Sequence, residues 1–189
     1  KVALQRLMPL IEEKKNEEWL NTIEELKLLA ITKNNSDNEE ELTPRFLFES
    51  LSEIDDGSFV IATEVGQHQM WTAQYFNFKT PRTLISSGGL GTMGFGLGAA
   101  MGVSVANPNK TVFNIAGDGS FGMNCNEFAT AVKYNIPIKV IVINNNALGM
   151  VRQWQSLFYE ERYSQTTLDR STDFVKLAEA FGGVGFRVE

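Results

Sequence analysis

Two strand-like segments separated by one helix-length segment constrain the fold of this chain more than any other feature. Thr111–Ala116 has the apolar pattern of a buried strand, and Ile138–Ile143 is rich in β-branched residues. Asn126–Tyr134 between them has the pattern of an amphipathic helix. Strands joined by a crossover helix pair in parallel, so this unit predicts a parallel sheet.

Strand-like and helix-like segments alternate along most of the remaining chain. Further strands are predicted over Phe59–Thr63, Thr83–Ile85 and, at the end, Val184–Val188. Further helices are predicted from Thr43-Pro44 to Ile54, and over Gln67–Phe76, Met93–Val105 and Asp173–Phe181. This alternation predicts an α/β fold, a mostly parallel sheet with helices on both faces.

The first 41 residues have a different character. Residues 1–33 carry apolar side chains at helical spacing, and Asn34–Glu41 is polar and acidic. Residues 1–56 carry a net charge of −7, whereas residues 57–189 carry +1. The sequence therefore predicts a helical connector and acidic linker over 1–41, followed by one domain over 42–189. Both ends of the chain have the pattern of interrupted elements, so we expect it to be a piece of a longer protein.

Composition argues against several classes of protein. The net charge is −6 and no Lys/Arg cluster is present, so nothing indicates binding to nucleic acid or to an anionic membrane. No segment approaches the roughly 20 consecutive apolar residues of a membrane span. The single cysteine, Cys125, excludes an internal disulfide and fits a reducing compartment.

Polar residues directly follow both strands of the central unit. Gly117-Asp118-Gly119-Ser120 follows the first strand, and Asn144-Asn145-Asn146 follows the second. In open parallel sheets ligands bind at the carboxyl ends of strands. A carboxylate, an amide oxygen and a backbone carbonyl form an oxygen site that suits Mg²⁺, and the N–H groups of Gly119 and Ser120 could cradle phosphate.

Each of these features taken alone has an ordinary explanation. Gly-Asp-Gly is a common turn and an Asn run is common in loops, but their pairing across one crossover, 24 residues apart, is more specific. The only histidine, His68, could be a structural hydrogen-bonding residue. Gly89–Gly94 matches the dinucleotide pattern Gly-x-Gly-x-x-Gly, but no acidic residue follows about 20 positions later, and we reject that interpretation.

Five segments together resemble a known family. Gly117-Asp118-Gly119 with Asn144-Asn145 resembles the cofactor motif of thiamine diphosphate enzymes. Val65-Gly66-Gln67-His68-Gln69-Met70-Trp71, Ser87-Gly88-Gly89-Leu90-Gly91-Thr92-Met93-Gly94 and Leu148-Gly149-Met150-Val151-Arg152-Gln153-Trp154-Gln155 resemble the large catalytic subunit of acetolactate synthases. The resemblance implies that residues 42–189 are a C-terminally truncated thiamine diphosphate- and Mg²⁺-binding domain, and that residues 1–41 connect it to a middle domain that is missing here.

The resemblance also implies roles for individual residues. The implied Mg²⁺ ligands are Asp118, the side chain of Asn145 and the carbonyl of Ala147. Trp154 and Met150 are implied to line the substrate channel. The implied cofactor-binding residues are Val65, Gly66, Gln67, His68, Gly91, Met93, Gly119, Ser120, Leu148, Gly149 and Met150. The activating glutamate of the family lies in another domain, and neither Glu64 nor Glu127 matches its motif, so no catalytic residue is expected here.

The reaction implied is the condensation of two pyruvates, or of pyruvate and 2-ketobutyrate, with loss of CO₂, in branched-chain amino acid biosynthesis. The resemblance further implies FAD in the full-length enzyme, a homo-oligomer with its active site between subunits, and a possible regulatory small subunit. The implied location is the cytoplasm, or a plastid or mitochondrion in a eukaryote. Another thiamine diphosphate enzyme, such as a glyoxylate carboligase or 2-keto acid decarboxylase, and a noncatalytic nucleotide-binding or interaction domain stay as alternatives.

Overall fold

A computed structural model describes residues 1–34, 42–169 and 172–188, and the side chains of 30–34 are not included. The chain divides into two compact units, Lys1–Glu41 and Leu42–Glu189. The first unit contains α1 (Val2–Leu7), a 3₁₀ turn and α2 (Glu17–Asn34). The predicted acidic linker lies, apart from Asn34, outside the described residues. That this unit connects to a further domain remains a prediction.

The second unit alternates helices and strands, as the sequence pattern predicted. Its elements in chain order are α3 (Pro44–Ile54), β1 (Phe59–Thr63), α4 (Gln67–Tyr75), β2 (Leu84–Ser86), α5 (Phe95–Ala106), β3 (Thr111–Gly117), α6 (Asp118–Asn124), α7 (Phe128–Lys133), β4 (Ile138–Ile143), α8 (Gly149–Phe158) and α9 (Phe174–Ala180). No helix among the described residues has the length and apolar character needed to cross a membrane.

The four strands form one parallel sheet in the order β2-β1-β3-β4. Thr63 in β1 pairs with Ile115 in β3, and Gly117 in β3 pairs with Ile143 in β4. The carboxyl ends of β1, β3 and β4 therefore lie side by side at one edge of the sheet. Each of these ends leads into a segment that the sequence singled out for chemistry.

Helices cover both faces of this sheet. On one face the side chains of Ile61, Phe113 and Ile115 pack with residues of α3 and α4, including the fully buried Phe48. The other face carries two small clusters under α5 and α6, formed by Val60, Ala62, Ala100 and Val112, and by Leu97, Ala116 and Phe121. The predicted α/β class, with a parallel sheet between helices, is confirmed.

The predicted final strand over Val184–Val188 is wrong. Residues 183–188 have no strand structure, and Val184, Phe186 and Val188 are each about three-quarters or more exposed. The alternating pattern is that of a strand, but a strand also needs a partner edge. This segment is instead attached to α9, because the Arg187 guanidinium lies 3.6 Å from the Asp173 carboxylate.

Other differences concern helix boundaries. The single helix predicted over Asn126–Tyr134 is shorter, because α7 starts at Phe128 and the 3₁₀ turn Cys125–Glu127 precedes it. A separate helix, α6, begins at Asp118, immediately after β3. The helix α8 was not predicted as a helix from its sequence. Both missed helices contain or begin with glycine, which has a low intrinsic helix propensity.

Helix α5 approaches the sheet unusually closely at Gly96. A Cβ at this position would lie 2.6 Å from the backbone nitrogen of Glu64 and 2.7 Å from the carbonyl carbon of Thr63. Real Cβ contacts are essentially never so short, so any side chain here would push α5 away from β1. The absence of a side chain at Gly96 therefore sets the spacing between the first turn of α5 and the end of β1.

We expect Gly96→Ala to lower the free energy of unfolding by roughly 1–3 kcal/mol, because the methyl group overpacks the contact with β1. Gly98→Ala is the matched control in the same helix, since a Cβ there meets nothing within 4 Å. The control should raise stability by up to about 1 kcal/mol through helix propensity. Urea unfolding followed by circular dichroism measures both, and equal effects at the two positions would contradict the close approach.

Candidate active site

One cleft of about 160 Å³ lies at the edge of the sheet where β1, β3 and β4 end. All of the residues implied above as cofactor or metal ligands line this cleft. They are Val65, Gly66, Gln67, His68, Gly91, Met93, Asp118, Gly119, Ser120, Asn145, Ala147, Leu148, Gly149 and Met150. These residues come from four separate segments of the chain, and the parallel sheet brings three of those segments together directly. Their individual roles stay predictions.

The two predicted substrate-channel residues are separated. Met150 lines the cleft, whereas Trp154, one turn further along α8, does not. The indole of Trp154 is 59% exposed and contacts Phe158 edge-on, with ring centroids 6.0 Å apart. Trp154 therefore lies on the outer surface of α8 in this chain, and a role for it in a substrate channel stays a prediction.

The three candidate metal ligands lie in the segments directly after the strands β3 and β4. Asp118 is the first residue of α6 and only 3% exposed. Asn145 and Ala147 lie in the loop after β4, where the Ala147 N–H donates to the Asn145 side-chain oxygen over 3.1 Å. This bond folds the loop into an Asx turn, so that the side-chain oxygen of Asn145 and the backbone of Ala147 belong to one compact structure.

The loop after β4 is also attached to a more distant segment. The Leu148 N–H donates to the carbonyl of Thr166, and the Leu168 N–H donates to the carbonyl of Asn146, each over 2.8 Å. Thr166 is buried, and its hydroxyl donates to the side-chain oxygen of Gln155 in α8. The backbone around Ala147 is therefore held from both sides, which fixes its position at the cleft.

His68 lies between the ends of β1 and β3. It is 5% exposed, and a Cβ on Gly117 would lie 2.7 Å from its Nδ1 atom, so the ring occupies the space that a glycine leaves open. Burial lowers the pKa of His68 to about 4, an effect partly opposed by a hydrogen bond to the backbone of Glu64. Its Nε2 atom has no hydrogen-bond partner among the described residues. A buried ring nitrogen at a cleft wall is available to a ligand.

The charge of the cleft is unusual for an anion-binding site. Asp118 is the only charged side chain among the described residues that line it, and no lysine or arginine is among them. No group of three or more His, Cys, Asp or Glu side chains suited to a metal occurs in the described part of the chain. A divalent cation in this cleft would therefore be held by one carboxylate together with amide and backbone oxygens, which is a ligand set suited to Mg²⁺.

The structure adds residues that sequence reasoning had not assigned to the site. Trp71, Gly117, Ile143 and Val151 also line the cleft. Trp71 and Val151 belong to the quoted motifs, and Gly117 and Ile143 are the last residues of β3 and β4. The rule that ligands lie at strand ends could have identified the latter two. No sequence signal identified the buried Glu64 behind the cleft.

Replacement of His68 should alter how stability depends on pH. The pKa of His68 is about 4 in the folded chain and 6.5 when unfolded, so between these values the unfolded chain binds the extra proton. The contribution of His68 to the free energy of unfolding is fully present above pH 6.5. It falls by roughly 3 kcal/mol as the pH drops from 6.5 through 4. We expect His68→Gln to have a shallower decline in unfolding free energy between pH 7 and pH 4. Identical declines in urea titrations of the two proteins would contradict this.

Comparison with known proteins places this geometry in a family. Residues 64–189 match the family of the thiamine pyrophosphate enzyme C-terminal TPP binding domain. The acetolactate synthase large subunit of Buchnera aphidicola is 42% identical over 100% of this chain and 34% of its own length. The acetolactate synthase of Mycobacterium leprae is 55% identical over 78% of the chain and 24% of its own length.

A probable acetolactate synthase large subunit of Methanocaldococcus jannaschii is 48% identical over 91% of this chain. The match covers 30% of that relative. The chain thus spans about a quarter to a third of the length of these curated relatives. The resemblance to acetolactate synthases that was inferred from the motifs is therefore confirmed.

Proposed function

Because the chain belongs to the thiamine pyrophosphate enzymes, through their C-terminal cofactor-binding domain, we propose that it binds the diphosphate of thiamine diphosphate through Mg²⁺ in an acetolactate synthase. The whole enzyme would condense two pyruvates, or pyruvate and 2-ketobutyrate, with loss of CO₂, to give 2-acetolactate or 2-aceto-2-hydroxybutyrate. This reaction belongs to branched-chain amino acid biosynthesis. The similarity to acetolactate synthase large subunits supports this choice of reaction.

The charge of the cleft is the observation that carries the Mg²⁺ part of the proposal. A diphosphate group is strongly anionic, and the one charged side chain among the described lining residues is the carboxyl group of Asp118. Two anions in so confined a space repel each other. A divalent cation between them attracts both the carboxylate and the diphosphate. Binding of the diphosphate therefore depends on the metal.

The donor set of the cleft fits the two groups. Asp118, Asn145 and Ala147 would supply three oxygens to Mg²⁺, an ion that prefers oxygen ligands and commonly also binds phosphate oxygens. The N–H groups of Gly119 and Ser120 lie in the first turn of α6 and would donate to the diphosphate. A side chain on Gly119 would collide with Leu148, since a Cβ there lies 2.7 Å from Leu148 Cδ2. The absence of a side chain at Gly119 therefore lets Leu148 pack against the start of α6.

Other residues would orient the rest of the cofactor. Gly91 and Met93, which precede α5, would contact the aminopyrimidine, and the bulky Met93 would support it from one wall of the cleft. Gln67 Nε2 donates to Gln153 Oε1 over 3.3 Å and so links the first residue of α4 to the middle of α8. When bound, thiamine diphosphate supplies the carbon chemistry of the reaction, and the protein supplies position and electrostatics.

The rest of the enzyme would lie outside this chain. The glutamate that activates the cofactor would come from the N-terminal domain of a second subunit, which makes the functional enzyme a homo-oligomer with sites between subunits. FAD would bind mainly to a middle domain, and a regulatory small subunit is a possible partner. Trp154 would line the substrate channel in that assembly and favour 2-ketobutyrate as acceptor. The proposed location is the cytoplasm, or an organelle in a eukaryote.

Asp118→Ala tests the metal site. We expect the parent chain to bind thiamine diphosphate in the presence of Mg²⁺ and to bind it at least roughly tenfold more weakly in EDTA, because the uncompensated carboxylate repels the diphosphate. Asp118→Ala should lose most of the Mg²⁺-dependent affinity. Glu127→Ala, at an exposed carboxyl outside the cleft, is the matched control. Isothermal titration calorimetry measures all three, and equal Mg²⁺-dependent affinity in the parent and Asp118→Ala would contradict the assignment.

The chain alone should not turn over pyruvate. We expect no acetolactate above background in a colorimetric product assay of the 189-residue chain with saturating thiamine diphosphate, Mg²⁺ and FAD, because the activating glutamate is absent from it. Robust product formation by the chain would show that activation does not need a second domain and would overturn this part of the proposal.

A further inference from the structure

A fully buried carboxyl group lies directly behind the cleft and takes no part in the function proposed so far. Glu64 follows β1 and is 0% exposed. The Leu97 N–H donates to its Oε1 atom and the Ser120 hydroxyl donates to its Oε2 atom, both over 2.9 Å. Its own N–H donates to the carbonyl of Ile115 in β3 over 2.8 Å. Removal of a carboxyl group from water is costly unless its oxygens are satisfied, and here both of them accept.

One of these bonds caps helix α5. The residue before the helix is Gly94, which has no side chain to accept from the free N–H groups of the first turn. The carboxyl group of Glu64, which lies outside the helix, accepts this hydrogen bond instead. It lies at the N-terminus of α5, where the helix dipole stabilises an acidic group. Glu64 reaches Leu97 because Gly96 allows α5 to lie against β1, as described above.

The other bond reaches the start of α6 through Ser120. The Ser120 hydroxyl donates to Glu64 and also accepts from the Gly94 N–H over 3.1 Å. The Asn124 side-chain amide donates to the Gly94 carbonyl over 2.7 Å, so both backbone groups of Gly94 are bound to α6. Because the hydroxyl of Ser120 is used within the protein, its contribution to a ligand is limited to the backbone N–H.

The network joins two walls of the cleft. Met93 precedes Gly94 and lines one wall, while Asp118 and Gly119 precede Ser120 and line another. Both walls are hydrogen-bonded to the same carboxyl group, at Leu97 and at Ser120. Glu64 therefore helps to set the distance between the Met93 turn and the first turn of α6, together with the direct bonds of Gly94 to Ser120 and Asn124.

We propose that Glu64 is a positioning residue for the cofactor, which holds the Met93 turn at the correct distance from the segment that binds the diphosphate. The proposal rests on the proposed function, because it assumes that thiamine diphosphate spans these two walls. Glu64 itself touches no ligand, since it does not line the cleft. Replacement of Glu64 should consequently weaken the binding of a ligand that contacts both walls. It should have little effect on the binding of a ligand that contacts only one wall.

The test compares two ligands on the same proteins. Thiamine diphosphate with Mg²⁺ would contact both walls, whereas inorganic diphosphate with Mg²⁺ would contact only the wall at α6. Glu64→Gln keeps the size of the side chain and removes one acceptor. The control is Glu127→Gln, an equal loss of charge at an exposed residue outside the cleft. Circular dichroism and thermal unfolding verify that each protein is folded at the titration temperature.

We expect Glu64→Gln to bind thiamine diphosphate roughly tenfold more weakly, while its affinity for inorganic diphosphate stays within about twofold of the parent. The control should match the parent for both ligands. A general loss of structure would weaken both ligands together, so equal losses would overturn the proposal. Unchanged binding of thiamine diphosphate by Glu64→Gln would overturn it as well.

Two further outcomes separate the proposals. If the parent binds neither ligand, the proposed function fails and the role of Glu64 fails with it, whereas a parent that binds both leaves only Glu64 in question. If Glu64→Gln does not fold, Glu64→Asp takes its place, because it keeps a carboxyl group but shortens its reach to Leu97 and Ser120. That variant should show the same selective loss for thiamine diphosphate, and affinities equal to those of the parent would overturn the proposal.

Discussion

The in-register parallel pairing of β3 with β1 on one side and with β4 on the other determines where this protein can bind a ligand. It brings three strand ends to one edge, so the residues after each strand become neighbours although they are up to 80 positions apart in the chain. The pairing of the strands therefore determines where the site lies, and the side chains after the strands determine its chemistry.

No acidic residue occurs between Glu64 and Asp118, and the fold places these two carboxyl groups in different environments. Glu64 points inward, where both of its oxygens accept hydrogen bonds from the protein. Asp118 lines the cleft, among glycines, amides and apolar side chains. The intervening segment supplies α5, whose Gly96 permits the close approach to β1. Among the described residues that line the cleft, no other charged side chain would compete with Asp118 for a cation.

The sequence allowed most of the fold and the site to be predicted, for physical reasons that also explain the failures. The strands β1, β3 and β4 are short and mostly apolar, and the residues after them could be identified from topology alone. The strand at Val184–Val188 was predicted wrongly because periodicity does not reveal whether a partner edge is available. The hydrogen bonds of Glu64 to Leu97 and Ser120 were not predicted, because they depend on contacts between segments that are distant in sequence. The exposure of Trp154 likewise depends on packing that the motif does not encode.

A crystal structure of the chain grown with thiamine diphosphate and Mn²⁺ would show whether the metal lies at Asp118, because Mn²⁺ can be located by its anomalous scattering. We expect one metal ion bound to the carboxylate of Asp118, the side-chain oxygen of Asn145 and the carbonyl of Ala147, and also to the diphosphate. A diphosphate bound in the cleft without a metal, or a metal bound away from these three residues, would contradict this expectation.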